Sequence, residues 1–300
     1  MAKVKNKISS SREDKIFNVI IHIIIATLLI IVAYPLIFVL SSSFSSKEAV
    51  TNGLVFLWPV DFSIEGYAAV FQKPDVLIGY RNTIIYTVVG TMLNLVLTMI
   101  AAYPLSRKDL PGGKFLTLIF TFTMIFNGGM IPTYMLVKGM GLMNSPLSMI
   151  VLGGISAYNL IIARTFIQNS IPGELLEAAR IDGCSDFRYF GQIILPLSKS
   201  VIAVLTLYYA ITHWNAYFNA FLYLNNENYW PLQLFLREIL LENQIDASQI
   251  LDPELQEAKQ GMANLLKYSL IVVSTIPVMI LYPFIQKHFV SGVMIGSVKG

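Results

Sequence analysis

Six stretches of about twenty predominantly apolar residues set the limits on what this chain can fold into. A bilayer's hydrocarbon core is about 30 Å thick, and an α-helix crosses it in roughly 20 residues. The stretches cover about 16–40, 83–105, 115–137, 147–167, 201–224 and 265–285, the fourth interrupted by Arg164. None shows the strict alternation of a lipid-facing strand, so helices are expected rather than a barrel. The predicted fold class is all-α, a polytopic membrane bundle of six transmembrane helices. Charge agrees: Asp, Glu, Lys and Arg make up 13% of 300 residues, about half the roughly 25% that a soluble domain needs to keep its surface wetted. Membrane lipid, and not nucleic acid, is the expected surrounding.

The first apolar stretch follows a basic segment containing Lys3, Lys5, Lys7, Arg12 and Lys15. A cleaved signal peptide has an apolar core of roughly 7–15 residues, shorter than this one, so the stretch is predicted to remain as a span. Alternating sides from a cytoplasmic N-terminus puts 14 of the 21 basic residues inside but only 7 of the 18 acidic ones. That bias predicts both termini in the cytoplasm. The chain then reads as a basic cytoplasmic N-terminus (1–15), a membrane domain (16–285) and a cytoplasmic tail (286–300), with one long inner loop at 168–199. Arg164 is expected to snorkel to the inner surface.

Several chemistries are disfavoured. The single cysteine, Cys184, allows no disulfide framework, and His22, His213 and His288 form no metal-ligand motif. His213 reads as a hydrogen-bonded structural residue. Gly112-Gly113, Gly128-Gly129 and Gly153-Gly154 lack the lysine of a phosphate-binding loop. The spans are almost free of Asp and Glu, which argues against an ion-coupled secondary transporter. No nucleophile–base pair at membrane depth suggests an intramembrane enzyme.

The inner loop is the informative segment. Ile171 to Gly183 predicts a short amphipathic helix, with Pro172 and Gly173 starting it, Glu174 suiting its positive end and Gly183 stopping it. Leu175, Leu176, Ala178, Ala179 and Ile181 form its apolar side, and Glu174, Glu177 and Arg180 its charged side. The two adjacent alanines favour docking against protein over deep lipid insertion.

Glu177-Ala178-Ala179, then Gly183 after three residues, then Ile193-Ile194-Leu195-Pro196 after nine more, resembles the EAA loop of ABC importer permeases. The spacing and the position before the penultimate span both fit. The resemblance implies a type I importer permease fold and a coupling helix seated in a cleft of a nucleotide-binding subunit. Its coupling set would be Glu174, Glu177, Ala178, Ala179, Asp182, Gly183, Ile193, Leu195 and Pro196. Glu177 would supply the charge contact, Ala178 and Ala179 close packing, and Gly183 the turn. Leu195-Pro196 would lead into the fifth span. The C-terminal residues, including Gly292, Gly296 and Lys299, and the segment Trp214-Asn215-x-Tyr217-Phe218-Asn219 resemble MalG-type carbohydrate permeases, in particular the LplC/YtcP-like branch.

From that resemblance follow the expected partners: a MalF-type second permease, two ATPase subunits that hold the ATP and magnesium, and an extracellular solute-binding protein. This chain would bind no cofactor of its own and would be a transport subunit rather than an enzyme, sited in the cell membrane of a bacterium or archaeon. A permease for amino acids or peptides is the nearest alternative, since the loop is shared across substrates. For the path itself, Asn127-Gly128-Gly129 and Pro132 should break or bend the third span. Asn127, Tyr134, Trp214, Asn215, Tyr217 and Asn219 carry the planar polar and aromatic groups that suit a sugar.

Overall fold

The computed structural model describes residues 11–248 and 253–293, and every regular element among them is helical. These residues fall into two compact units, one within Met1–Val70 and Glu242–Val273, the other within Phe71–Leu241 and Ser274–Gly300.

In the first unit, α1 (Arg12–Ser43) opens with a capping box: the Ser11 hydroxyl accepts from the Asp14 N–H, and the Asp14 carboxylate accepts from the Ser11 N–H. Its apolar window has a mean hydropathy of 3.0, and this chain covers none of it. A helix apolar on all sides and left uncovered belongs in a non-aqueous medium. Two short helices follow, α2 (Lys47–Thr51) and α3 (Glu65–Phe71). The chain around them is tied down by the Ser41 hydroxyl donating to Leu57 O (2.7 Å) and by the Ser46 N–H donating to Val60 O. Gly66 of α3 lies so close to Leu265 and Ser269 of the C-terminal helix (Pro253–Val293) that a Cβ there would overlap both.

The second unit is organised by α4 (Pro74–Ser106), a 33-residue helix. At 1.5 Å per residue it is about 50 Å long. Pro74 sits in its first turn, where a missing N–H costs nothing. Asn82, Tyr86, Gly90, Asn94 and Thr98, every fourth residue, are all buried. They form the kind of i±4n ridge along which helices pack. Around it come α5 (Gly113–Ile125), α6 (Met130–Gly139), α7 (Pro146–Val151), α8 (Ala157–Ser170), α9 (Glu174–Ile181) and α10 (Asp186–Tyr189). Then follow a π-turn at Phe190–Ile194, α11 (Leu195–Leu197), α12 (Lys199–Trp214) and α13 (Phe218–Tyr223). The unit also takes in α14 (Leu232–Ser248) up to Leu241, and the later part of α15, the C-terminal helix. The closest packing is of α4 against α8 and α12.

Among the described residues, three helical segments are long and apolar enough to cross a membrane: Arg12–Ser43, Pro74–Ser106 and Gly261–Ile280. Counting each bent pair as one span raises the number to five. Three of the predicted spans therefore differ from simple rods. The third breaks where expected: α5 ends at Ile125, α6 starts at Met130, and their axes differ by 115°. Gly129 has φ +89°, a backbone region open to glycine, and the Asn127 side-chain oxygen accepts from the Gly129 N–H at 2.9 Å.

The fourth predicted span, 147–167, is two helices, α7 and α8, separated at residues 152–156. Gly153 at φ +75° turns the chain, and the Ser156 hydroxyl starts α8 by accepting from Asn159 N–H. The fifth, 201–224, ends as a helix at Trp214 and resumes as α13. The second starts nine residues earlier than predicted, at Pro74, because Asp75, Arg81 and Asn82 lower the hydropathy of turns that are nonetheless helical.

Polar side chains on α4 fill the gaps that these breaks create. Asn94 donates through Nδ2 to the carbonyls of Gly153 (2.9 Å) and Gly154 (3.0 Å), and its oxygen accepts from His213 Nε2 at 2.6 Å. Asn82 donates to Asn228 O (2.8 Å) and Trp230 O (2.9 Å), and the Tyr86 hydroxyl donates to Tyr229 O (2.7 Å). The Thr98 and Tyr209 hydroxyls pair at 2.7 Å. In a low-dielectric setting each freed carbonyl needs such a donor, so irregular backbone is tolerable only where protein supplies one. His213 is thus a hydrogen-bonded structural residue, as expected.

Candidate coupling site and pathway residues

The segment 168–199 folds as a short helical hairpin. In α9, Glu174 and Glu177 stand in the first turn, where the helix dipole favours negative charge, and both are exposed. Ala179 points inward, 7% exposed, into an apolar cluster with Tyr103, Ile167, Ile171, Tyr189 and Ile194. Ala178 points outward with Leu175 and Ile181, the latter 87% exposed. The two alanines therefore divide their roles: one seats the helix and the other belongs to its free face.

Asp182 caps the helix and Gly183, at φ +72°, reverses the chain. The Cys184 N–H donates to Ala179 O (2.8 Å) and the Gly183 N–H to Arg180 O (3.1 Å), a Schellman closure that needs glycine's left-handed conformation. Downstream, Ile193 and Leu195 are half-buried and Pro196 is exposed. Pro196 lacks an N–H, and the helix around it widens to a π-turn before bending by 79° into α12.

An ion network whose two ends lie too far apart along the chain to be paired by spacing joins this hairpin to the end of α4. Arg107 donates through Nε to Asp109 Oδ1 (2.8 Å) and through Nη2 to Asp109 Oδ2 (2.6 Å), and its Nη1 donates to Asp186 Oδ1 (2.5 Å). Asp109 Oδ2 also accepts from Arg180 Nη2 of α9 at 3.0 Å. The Arg107 side chain is only 15% exposed, whereas Asp109 and Arg180 are about half exposed, at 50% and 51%. Arg107 first, then Arg180, holds the Asp109 carboxyl well below the usual carboxylate range. Asp109 in turn raises Arg107. Arg164 donates through Nε to Leu105 O at 2.8 Å and closes the end of α4.

The pathway candidates separate into two kinds. Asn127 is exposed in the break before α6. Tyr134 of α6 stacks on Tyr223 of α13, ring centres 6.2 Å apart. Asn215, Tyr217 and Asn219 are exposed at the turn from α12 to α13, although Asn215 spends its amide on Ile211 O (3.0 Å). Trp214 is buried and donates its indole N–H to Ser274 O at 3.0 Å, so in this conformation it is a packing residue. Gly292 lies near the end of α15, and Gly296 and Lys299 fall outside the described residues. No group of three or more His, Cys, Asp or Glu side chains that could hold a metal occurs among the described residues.

Known proteins match nearly the whole chain. The family model described as binding-protein-dependent transport system inner membrane component matches residues 7–295. The polygalacturonan/rhamnogalacturonan transport system permease protein YtcP of Bacillus subtilis (strain 168) is 40% identical over 96% of this chain and 100% of its own length. Protein LplC of the same organism is 37% identical over 97% of each chain. A chain in the crystal structure of a bacterial ABC transporter involved in the import of the acidic polysaccharide alginate superposes with a TM-score of 0.82. It is 34% identical and covers 93% of this chain and 99% of its own.

Proposed function

The chain belongs to the family of binding-protein-dependent transport system inner membrane components, and from that premise we propose that it forms one half of a carbohydrate pathway driven by ATP hydrolysis on other subunits. It is a multi-pass membrane protein and a permease subunit, not an enzyme. Members of the family work with a partner permease, an ATPase and a solute-binding protein. The finer arrangement is our reading: six spans with both termini cytoplasmic, a MalF-type heterodimeric partner, and two ATPase subunits holding ATP and magnesium, in the cytoplasmic membrane of a bacterium or archaeon. The names of YtcP and of the alginate importer point to polysaccharide-derived cargo. Acidic oligosaccharides are therefore the first substrates to try.

The observation that carries this reading is the two-faced helix α9. Its inner face is anchored by Ala179, while its outer face offers Glu177 beside Leu175, Ala178 and Ile181. An apolar patch with a carboxylate at its edge suits a groove on a partner subunit. A partner that binds this face differently in its open and closed states shifts the bundle between two accesses by that difference in binding free energy. Asn127, Tyr134, Tyr217 and Asn219 are the residues proposed to meet the sugar.

The test uses the complete importer in proteoliposomes, with the solute-binding protein and oligogalacturonate or alginate oligosaccharides. Gly183→Val places a β-branched residue at φ +72°, whereas Asn tolerates that conformation far better. Gly183→Val and Glu177→Gln should cut uptake while leaving membrane insertion intact, and Gly183→Asn should retain most of it. Wild-type uptake by Gly183→Val would overturn the proposal.

A further inference from the structure

We infer that Asp109 is a positioning residue that makes α9 and the end of α4 move together, a role that rests on α9 being the helix the ATPase drives. Two observations support it. Asp109 lies in neither helix, yet it is gripped from both: Arg107 at the end of α4 takes both of its oxygens, and Arg180 in the last turn of α9 shares Oδ2. Arg107 is also occupied on its remaining side, with Nη1 on Asp186 of α10, so the chain beyond the Gly183 turn is held from the same point. A planar guanidinium bonded to a carboxylate through two parallel contacts fixes direction as well as distance. Several charges joined in this way resist shear better than an isolated surface pair.

Apolar contact fixes no direction along α9. Ala179 and Leu176 seat α9 on an apolar cluster, and apolar contact is non-directional. The Arg180–Asp109–Arg107 chain supplies the directional link that the cluster lacks. Its far end is α4, whose Asn94 donates to the Gly153 and Gly154 carbonyls before α8 and accepts from His213 of α12, so displacement of α9 reaches the bundle through it. Exposure of Asp109 and Arg180 makes the link severable without unfolding the core.

The experiment compares Asp109→Asn, Arg180→Gln, their double variant and Asp109→Glu in the reconstituted complete importer. Co-purification of the ATPase, ATP hydrolysis and sugar uptake are read separately. Asp109→Asn should bind the ATPase like wild type while sugar moved per ATP hydrolysed falls about fivefold, the low end of ordinary coupling between sites. The double variant should be no worse than the poorer single one, and Asp109→Glu should recover most of the loss. An unchanged ratio of sugar to ATP in Asp109→Asn, or losses that multiply in the double variant, would overturn this role and leave the importer reading standing. A wild-type complex without ATP-driven uptake would overturn both.

Discussion

Replacing Gly90 with alanine tests whether α4 is locked to α12 through His213. A Cβ built on Gly90 would lie 2.5 Å from both Cε1 and Nε2 of the His213 ring, against a comfortable carbon contact of roughly 3.5–4.0 Å. The ring must therefore retreat by about 1 Å. It has no slack, because Nε2 already donates to Asn94 Oδ1 at 2.6 Å and the Asn94 amide is spent on Gly153 and Gly154. Overpacking of a well-filled site costs about 1–3 kcal/mol, and a hydrogen bond lost inside a membrane protein about 0.6 kcal/mol on average. Gly90→Ala should thus destabilise the protein by about 1.5–3.5 kcal/mol. Unfolding of the purified protein in mixed micelles by titrated denaturing detergent would measure it. Adding His213→Ala removes the ring that the new methyl strikes, so the double variant should be more stable than the sum of the two single losses predicts. Gly90→Ala as stable as wild type, or strictly additive losses, would refute the packing described here.

Two further predictions concern the polar groups. Asn82→Leu leaves the carbonyls of Asn228 and Trp230 without their donor and should cost about 1–3 kcal/mol. Hydrogen exchange should then quicken locally at residues 226–232 rather than throughout the chain. The second concerns pH. Asp109 has a folded-state pKa depressed by Arg107 and Arg180, so its stabilising charge is fully present above the unfolded value of about 3.9 and is lost only as pH falls through the folded value. The ratio of Asp109→Asn to wild type in sugar moved per ATP should therefore stay constant from about pH 5.5 to 8.5, read in the same proteoliposomes; a ratio that changes within that window would assign the effect to another group.

What the sequence disclosed was local. The break after Phe126 follows from Asn127, two glycines and a proline in a short stretch, and the turn after α9 follows from Gly183. Hydropathy alone marked α1. The split between α7 and α8 was hidden, because a glycine pair inside an apolar run is as compatible with a packed helix as with a turn. What decides it is Asn94, about sixty positions away, which can satisfy the two freed carbonyls. For the same reason Arg107, Asp109, Arg180 and Asp186 could be counted for topology but not paired. Trp214 looked like a sugar platform from its neighbours, and its indole turns out to be committed to Ser274. Pairings across the fold depend on how separate segments approach, and no pattern within one segment encodes that.

The row of polar side chains on α4 has a consequence for how such a subunit can change shape. Asn82, Tyr86, Asn94 and Thr98 each grip a different stretch of backbone or side chain at a different height. One residue of helix corresponds to 100° of rotation and 1.5 Å of rise, so a twist or slip of α4 would have to rupture these bonds together. Tilting α4, α8 and α12 as a block together with residues 153–154 and 228–230 ruptures none of them. The compliance needed to open and shut a passage would then lie in joints held by short-range hydrogen bonds, such as 126–129 and 215–217.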